Sequence, residues 1–354
     1  MTITRILYAP NVHQGGGRTL LIPLLEALQE DDDVIFILDQ RLQIPNHIQL
    51  SGIIYRVNPT PLSRLSVEWR LKSLLTAHTW LLSVNNLPPL FGHLGMQQVF
   101  IQNRYLIDPA PPLRSLPWKV GFRLKLERWW LSSRAKYVSQ FIVQTPSMAE
   151  MLRQTLHANT SILPFSAPFL PLPETPPLAT GHRFDFLYVA SGEPHKNHRA
   201  LIEAWIELSQ DGHFPTLGLT LDATRFPALC QWISSKTQAH SLKVTLLGEL
   251  PQAGVIELYL VSRALIYPSL YESFGLPLIE ATLLGLPVLA GDLPYVKDVV
   301  RPSGMFDANS PSSIAKAVNH FTYQPCTLTT NLLSAAEFLH KTLPSPARPP
   351  LQHR

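Results

Sequence analysis

Cysteine is almost absent from this chain of 354 residues: only Cys230 and Cys326 occur, at a spacing that matches no metal-ligand motif. A disulfide framework is therefore not expected, and the two read as inert thiols in a reducing compartment. Long apolar runs are also missing. No stretch reaches the roughly 18 residues that a membrane-spanning helix requires. Met1–Arg5 leads straight into the apolar run Ile6–Ala9, so no signal peptide is expected. The thirteen histidines are scattered and make no metal-binding cluster, and no metal is expected. No internal repeat of solenoid period is present. The net charge of +4 suits a phosphate-bearing partner or an anionic membrane but is too small to define either. No nucleic-acid reader motif accompanies it, so nucleic acid is not expected as a partner.

What is present is a globular composition, with 45% hydrophobic residues and enough length for two domains. In the first half, Ile6–Ala9, Val34–Leu38, Ile53–Val57, Leu81–Val84, Val99–Gln102 and Phe141–Gln144 read as strands. Helical patterns near Arg18–Glu30, Ser66–Leu75 and Val120–Ser133 alternate with them. In the second half the strands are Phe184–Val189, Leu217–Leu221, Lys243–Leu247, Leu265–Tyr267 and Val288–Ala290, and the helices His198–Leu208, Phe226–Thr237, Val255–Val261 and Ala308–His320. Such alternation predicts two doubly wound parallel sheets. The 33 prolines gather at joints and in the tail, and those between Leu163 and Pro177 deny that stretch a helix or central strand. The expected organisation is an N-terminal α/β domain over 1–165, a linker over 166–180, a second α/β domain over 181–320, a helical segment over 321–343 and a disordered tail over 344–354.

The most informative segment runs from Ile266 to Asp292. A buried strand is followed by the turn Ser273-Phe274-Gly275-Leu276, a helix opened by Pro277 and stopped at Gly285, and a further strand. A glycine loop feeding a helix offers free N–H groups to an anion such as a phosphate. Glu272 is expected in the loop and Glu280 in the first helical turn, both in the crevice at the carboxyl end of the sheet. Ionised carboxylates only accept hydrogen bonds, which suits recognition of sugar hydroxyls. The run Pro268-Ser269-Leu270-Tyr271-Glu272-Ser273-Phe274-Gly275-Leu276-Pro277-Leu278-Ile279-Glu280-Ala281 resembles the hallmark of the retaining glycosyltransferases of group 1, or family 4. That resemblance implies the GT-B fold, two Rossmann-like domains facing across a cleft, with a last helix (here Asn331–Leu343) crossing back to the first domain.

Other segments are weighed beside it. Asn11-Val12-His13-Gln14-Gly15-Gly16-Gly17-Arg18 is neither a dinucleotide nor an NTPase phosphate loop. It is similar to the family's first glycine-rich loop, which would place Gly16 and Gly17 at the donor. Ala190 to Asn197 resembles the loop that carries the family's phosphate-binding Lys, here Lys196. Many relatives have an Arg just after that strand, where Ser191-Gly192-Glu193 stands; Arg18, Arg199 and Arg263 are candidate substitutes. Where relatives carry a sugar-contacting His, this chain has Gln102 and Asn103, with His13 the nearest imidazole. From Trp118 to Lys136, basic and aromatic residues interleave; the pattern suits attachment to anionic lipid, or a helix packed on its own sheet with solvated charges.

The resemblance implies a glycosyltransferase that moves a sugar from a nucleotide diphosphate sugar to a hydroxyl of a saccharide or lipid-linked acceptor, in cell-surface polysaccharide or glycolipid synthesis. Glu272 and Lys196 would be catalytic; Gly16, Gly17, Ser273, Phe274, Gly275, Leu276, Lys196 and Glu280 would hold the donor; His13, Gln102 and Asn103 would touch sugar or acceptor. No cofactor beyond the donor is expected, and the protein would work in the cytoplasm, free or peripheral on the inner face of the membrane. A nucleotide-sugar epimerase and a non-catalytic GT-B partner subunit are the rival readings.

Overall fold

The computed structural model describes residues 4–112, 116–166 and 182–343. The chain forms two compact units: the described residues before 168 join those from 332 onward, and those between 169 and 331 make the second. The proline-rich linker and the 344–354 tail lie outside the described residues, apart from Ser166.

In the first unit, β1 (Thr4–Ala9), α1 (Gly15–Ala27), β2 (Val34–Asp39), β3 (Ile53–Val57), α2 (Pro61–Leu74), β4 (Thr79–Ser83) and β5 (Met96–Phe100) follow in order. Then come α3 (Trp118–Arg134), β6 (Gln140–Val143), α4 (Pro146–Leu156) and β7 (Thr160–Ile162). All seven strands pair in parallel, in the order β3-β2-β1-β4-β5-β6-β7. β1, β2 and β4 are almost wholly buried, which is why they read as continuous apolar runs rather than alternating ones. β4, β5 and β6 begin one to three residues before those runs. Polar residues extend them because they find buried partners: Trp80 Nε1 donates to Gln98 Oε1 (2.9 Å), and Gln98 Nε2 to Gln140 Oε1 (2.9 Å). A consequence is that Gln102 lies beyond β5, in the loop, and not inside a strand.

The second unit holds β8 (Phe184–Tyr188), α5 (His198–Gln210), β9 (Leu217–Leu219), α6 (Pro227–Ala239), β10 (Val244–Leu246), α7 (Gln252–Leu260), β11 (Ser262–Tyr267) and α8 (Leu276–Leu283). β12 (Val288–Gly291), α9 (Pro294–Val299), β13 (Val300–Arg301), β14 (Gly304–Phe306), α10 (Pro311–Asn319) and β15 (Thr327–Leu328) complete it. Six strands form a parallel sheet ordered β10-β9-β8-β11-β12-β14, while β13 and β15 make a small antiparallel pair.

The last helix, α11 (Ala335–Thr342), belongs to the first unit. A capping box at Ser334 and Glu337 starts it. Its Phe338 is fully buried against Phe165 (ring centroids 4.4 Å) and Phe100 (5.3 Å), and the Thr342 carbonyl accepts from Trp80 Nε1 at 3.1 Å.

Candidate active site

The β11–α8 connection is built around one glycine. Gly275 caps α8 at φ +78°, a left-handed conformation free of side-chain strain only in glycine. Pro277 occupies the first turn, where the missing N–H costs nothing, and Leu278 N–H turns back to the Gly275 carbonyl at 2.9 Å. Glu280 is the fifth residue of α8, so it stands in the second turn and not, as the sequence suggested, the first.

Glu272 is nearly buried, and three donors converge on one of its oxygens. Lys196 Nζ lies 2.5 Å, Ser269 Oγ 2.7 Å and Tyr267 Oη 3.1 Å from Oε1. None of the described hydrogen bonds uses Oε2. Burial pushes the carboxyl up, but the Lys196 charge and the hydrogen bonds from Lys196 and Ser269 outweigh it and hold Glu272 below the ordinary glutamate range. The Lys196 loop is stitched to the Glu272 loop by backbone: Leu270 N–H donates to the His195 carbonyl at 2.8 Å. Asn197, itself left-handed at φ +61°, sends its amide to the carbonyls of Ala308 (2.6 Å) and Pro268 (3.3 Å). The Asn after the Lys is therefore a bracket between the loops following β8, β11 and β14. Beneath them His198 is buried against the Tyr188 ring at 4.9 Å; burial and the Lys196 charge push its pKa down to about 3.

Glu280 has a different environment. Its Oε2 accepts from Tyr259 Oη of α7 at 3.0 Å, and burial pushes its carboxyl up against the opposing effect of that bond.

Within the segment Ser191-Gly192-Glu193, the glycine has a packing reason. A Cβ on Gly192 would lie 2.4 Å from Phe226 Cγ, so the ring closes the position to any side chain. Of the three substitutes considered, Arg199 stacks over Trp232 (4.5 Å to the centroid) and Arg18 donates to the Gln43 carbonyl. Arg263 is the second residue of β11, at the amino end of that strand, and stacks over Phe321 at 5.3 Å. Arg263 is thus at the opposite end of the strand from Glu272.

In the first unit, Gly15–Gly17 are the first turn of α1 rather than a loop before it. A Cβ on Gly17 would meet Val12 Cγ1 at 3.2 Å and Gln102 Oε1 at 3.8 Å, so the glycine turn and Gln102 share one spot. Gln102 and Asn103 are held there by Asn86, whose Oδ1 accepts both backbone N–H groups (2.5 and 2.8 Å). The Asn103 side chain is already used, accepting from Tyr105 N–H at 3.1 Å. His13 Nδ1 stands 3.8 Å from Asp39 Oδ2. Ser269, Tyr267, Tyr259, Asn197 and Asn86 were not singled out from the sequence; Tyr267, Ser269 and Asn197 lay within segments whose pattern pointed to them, and Tyr259 and Asn86 did not.

Two parallel-sheet α/β units, with these loops at the carboxyl ends of the strands and the last helix returned to the first unit, define the GT-B class. Solved structures carry the same fold over 90% of the chain: HepE of Anabaena in complex with UDP and glucose (TM-score 0.63, 13% identity, 89% of that chain) and a sucrose-phosphate synthase of Thermosynechococcus elongatus (TM-score 0.61, 16% identity, 89% of that chain). Residues 176–332, nearly all of them in the second unit, match the family Glycosyl transferases group 1. The serotype-specific mannosyltransferase WbdA of Escherichia coli is 28% identical over 271 residues, 68% of this chain and 33% of WbdA. An O-antigen chain mannosyltransferase B of the same species is 30% identical over 132 residues, 36% of this chain and 34% of the relative. The chain spans about a third of the length of these curated relatives.

Proposed function

We propose that this chain is a retaining hexosyltransferase that moves a sugar from a nucleotide diphosphate sugar to an acceptor hydroxyl in cell-surface polysaccharide synthesis. The observation that carries it is Glu272, its Oε1 saturated by Lys196, Ser269 and Tyr267 and its Oε2 unused, beside the Gly275 start of α8. Glu272 is thereby fixed as an ionised acceptor for donor sugar hydroxyls. Lys196 spends one of three N–H donors on Glu272, leaving two for a diphosphate. With the N–H groups of Phe274, Gly275 and Leu276, it would stabilise the charge growing on the leaving group. Glu280 would accept from ribose hydroxyls. In a same-face displacement the acceptor oxygen bonds the anomeric carbon as the bond from that carbon to the phosphate oxygen breaks, and the acceptor proton passes to the leaving diphosphate. Neither metal nor organic cofactor takes part in this scheme. Gly16, Gly17 and Gln102 would contribute to the donor or acceptor surface of the first unit. The relatives' names favour mannose as the hexose. Neither the epimerase nor the non-catalytic alternative gains an observation.

Lys196→Ala is expected to weaken nucleoside diphosphate binding by roughly 1–3 kcal/mol and to leave nucleoside binding nearly unchanged. Calorimetry with both ligands decides, and equal losses for the two would overturn the phosphate role.

The acceptor is proposed to be presented at the cytoplasmic face of an anionic membrane, and α3 supports this. Among the described residues no helix is long and apolar enough to cross a membrane. Instead α3 has two apolar faces. Gly121, Leu124 and Leu131 are buried in the core, while Trp118, Phe122, Leu126 and Trp129 are 76, 59, 52 and 68% exposed. The exposed four recur at helical spacing, on one face, with Lys119 and Lys125 flanking it. Arg128 and Arg134 do not join them, since they donate to the carbonyls of Tyr105, Asp108, Pro89 and Gly92. Flotation on phosphatidylglycerol vesicles should be lost on changing Trp118, Phe122 and Trp129 to Ser and should weaken with salt; equal flotation of both proteins would refute it.

A further inference from the structure

A second charged centre, unconnected with Lys196, stands at the carboxyl end of the first unit's sheet. Asp39, the last residue of β2, is wholly buried. Arg41 grips its carboxylate through Nε (2.9 Å), Nη2 (2.8 Å) and its own backbone N–H (2.9 Å). Arg64 Nη2, from the first turn of α2, stands 3.6 Å from the same carboxylate. Arg56 Nη1, near the end of β3, donates to the carbonyls of Asp39 (3.2 Å) and Leu42 (3.0 Å). Arg18 Nη2, from α1, donates to the carbonyl of Gln43 at 3.2 Å. Four guanidinium groups from different parts of the unit thus gather at one short segment, 39–43, that holds a single ionised carboxylate.

Asp39 does not need four arginines. Arg41 alone satisfies both its oxygens, and the Arg41 hydrogen bonds, aided by the charges of Arg41 and His13, overcome burial to hold it below the ordinary range. Two other acids of this unit have partners of their own: Glu68 accepts from Tyr8 Oη and Leu90 N–H, and Glu127 pairs with Arg123 while also feeling the charge of Arg64. The cluster keeps an excess of positive charge, and it keeps unused donors. Among the described residues no acceptor is bonded to the guanidinium of Arg64 or to Nη1 of Arg41. His13 Nδ1 is a buried polar atom with no hydrogen-bond partner, 3.8 Å from Asp39 Oδ2. Like charges at this density are costly without an anion, and the guanidinium fork matches phosphate oxygens. The cluster lies at the same end of the sheet as the Gly16–Gly17 turn, the end at which open α/β sheets bind ligands.

We propose that Arg18, Arg41, Arg64 and His13 bind a phosphoryl group, and that the acceptor carries it. The phosphoryl site follows from the cluster itself; its assignment to the acceptor rests on the glycosyltransferase function proposed above. A lipid-linked saccharide and a soluble sugar phosphate share this chemistry.

Calorimetry of the full chain with inorganic phosphate is the first test, using wild type, Arg64→Gln, Arg18→Gln and Lys196→Ala. Arg64 and Arg18 make no hydrogen bond to Asp39, so their loss leaves its pairing with Arg41 intact. Each Arg variant should weaken one class of phosphate site roughly tenfold or more, while Lys196→Ala leaves that class unchanged. Phosphate binding unaltered in both Arg variants overturns the proposal. Transfer assays then compare a saccharide bearing a phosphate monoester, the same saccharide on a polyprenyl diphosphate in vesicles, and the bare saccharide. Arg64→Gln should raise KM for whichever phosphorylated acceptor is used, by a similar factor, and leave KM for the bare saccharide unchanged. An equal rise for all three refutes the assignment to the acceptor. Absence of any transfer, with the Arg-dependent phosphate site intact, counts against the glycosyltransferase function and not against the site.

Discussion

Removing the charge of Lys196 should cost the second unit stability in a way that depends on pH. Lys196 Nζ and Glu272 Oε1 are 2.5 Å apart, with side chains 15 and 13% exposed. At an effective dielectric of about 20, that separation corresponds to roughly 6–7 kcal/mol of attraction, before desolvation and residual solvent screening are subtracted. Breaking a buried pair by removing one partner costs about 3–5 kcal/mol, because the other charge remains. With Ser269 and Tyr267 still bonded to Glu272, the lower part of that range is expected for Lys196→Met. The pH dependence has a definite sign. In the native protein Glu272 lies below the usual value of 4.5, so its contribution is present above that value and is lost as pH falls through the native pKa. Without Lys196, burial dominates and the carboxyl rises, so its penalty grows as pH increases through the new value. The gap between wild type and Lys196→Met should therefore be largest near pH 8 and close below about pH 4.5. Hydrogen exchange of the amides in 184–291 reads this unit separately. A double-mutant cycle with Glu272→Gln should give a coupling of about 2–4 kcal/mol at pH 8. A coupling below roughly 0.5 kcal/mol, or one that does not change with pH, refutes the electrostatic account of this pair.

Two other outcomes follow from the same unit. Glu280 is held above the ordinary range by burial, so it lowers stability as pH rises through its native pKa; Glu280→Gln should stabilise the unliganded protein by about 1 kcal/mol at pH 8, with the gain vanishing in acid, while weakening donor binding. Thermal shift with and without nucleotide sugar measures both. Gly192→Ala forces a Cβ to within 2.4 Å of the Phe226 ring and should destabilise the unit by about 1–3 kcal/mol, measured by urea denaturation.

The architecture was largely legible because parallel strands covered on both faces must be apolar throughout, as Val34–Asp39 and Ser262–Tyr267 are over most of their length. What the apolar runs concealed was polar residues in strand conformation: Gln97, Gln98 and Gln140 belong to β5 and β6 because their amides pair with one another, with Trp80 or with nearby carbonyls and hydroxyls. α4 was overlooked although Thr145-Pro146 is a sound helix start, the Thr145 hydroxyl accepting from Met148 N–H. At the candidate site, Glu272 and Lys196 on loops and Glu280 on the helix were legible from local motif spacing, although Glu280 falls one turn later than expected. Their partners were less so, because Tyr259 precedes Glu280 by 21 positions and Lys196 precedes Glu272 by 76, distances that only the completed sheet closes. The Arg18–Arg41–Arg56–Arg64 cluster is scattered along the first quarter of the chain and has no motif at all.

The placement of α11 has a bearing on synthesis. Residues 4–166 leave the ribosome long before the helix that buries Phe100 and Phe165 and takes up the Trp80 indole N–H exists. The nascent chain carries an open aromatic socket through the whole of the second unit's translation, so the first unit, begun before the second, is completed after it. A molecule truncated before Ala335 would display that socket permanently, a surface of the kind that holding chaperones engage and proteases survey.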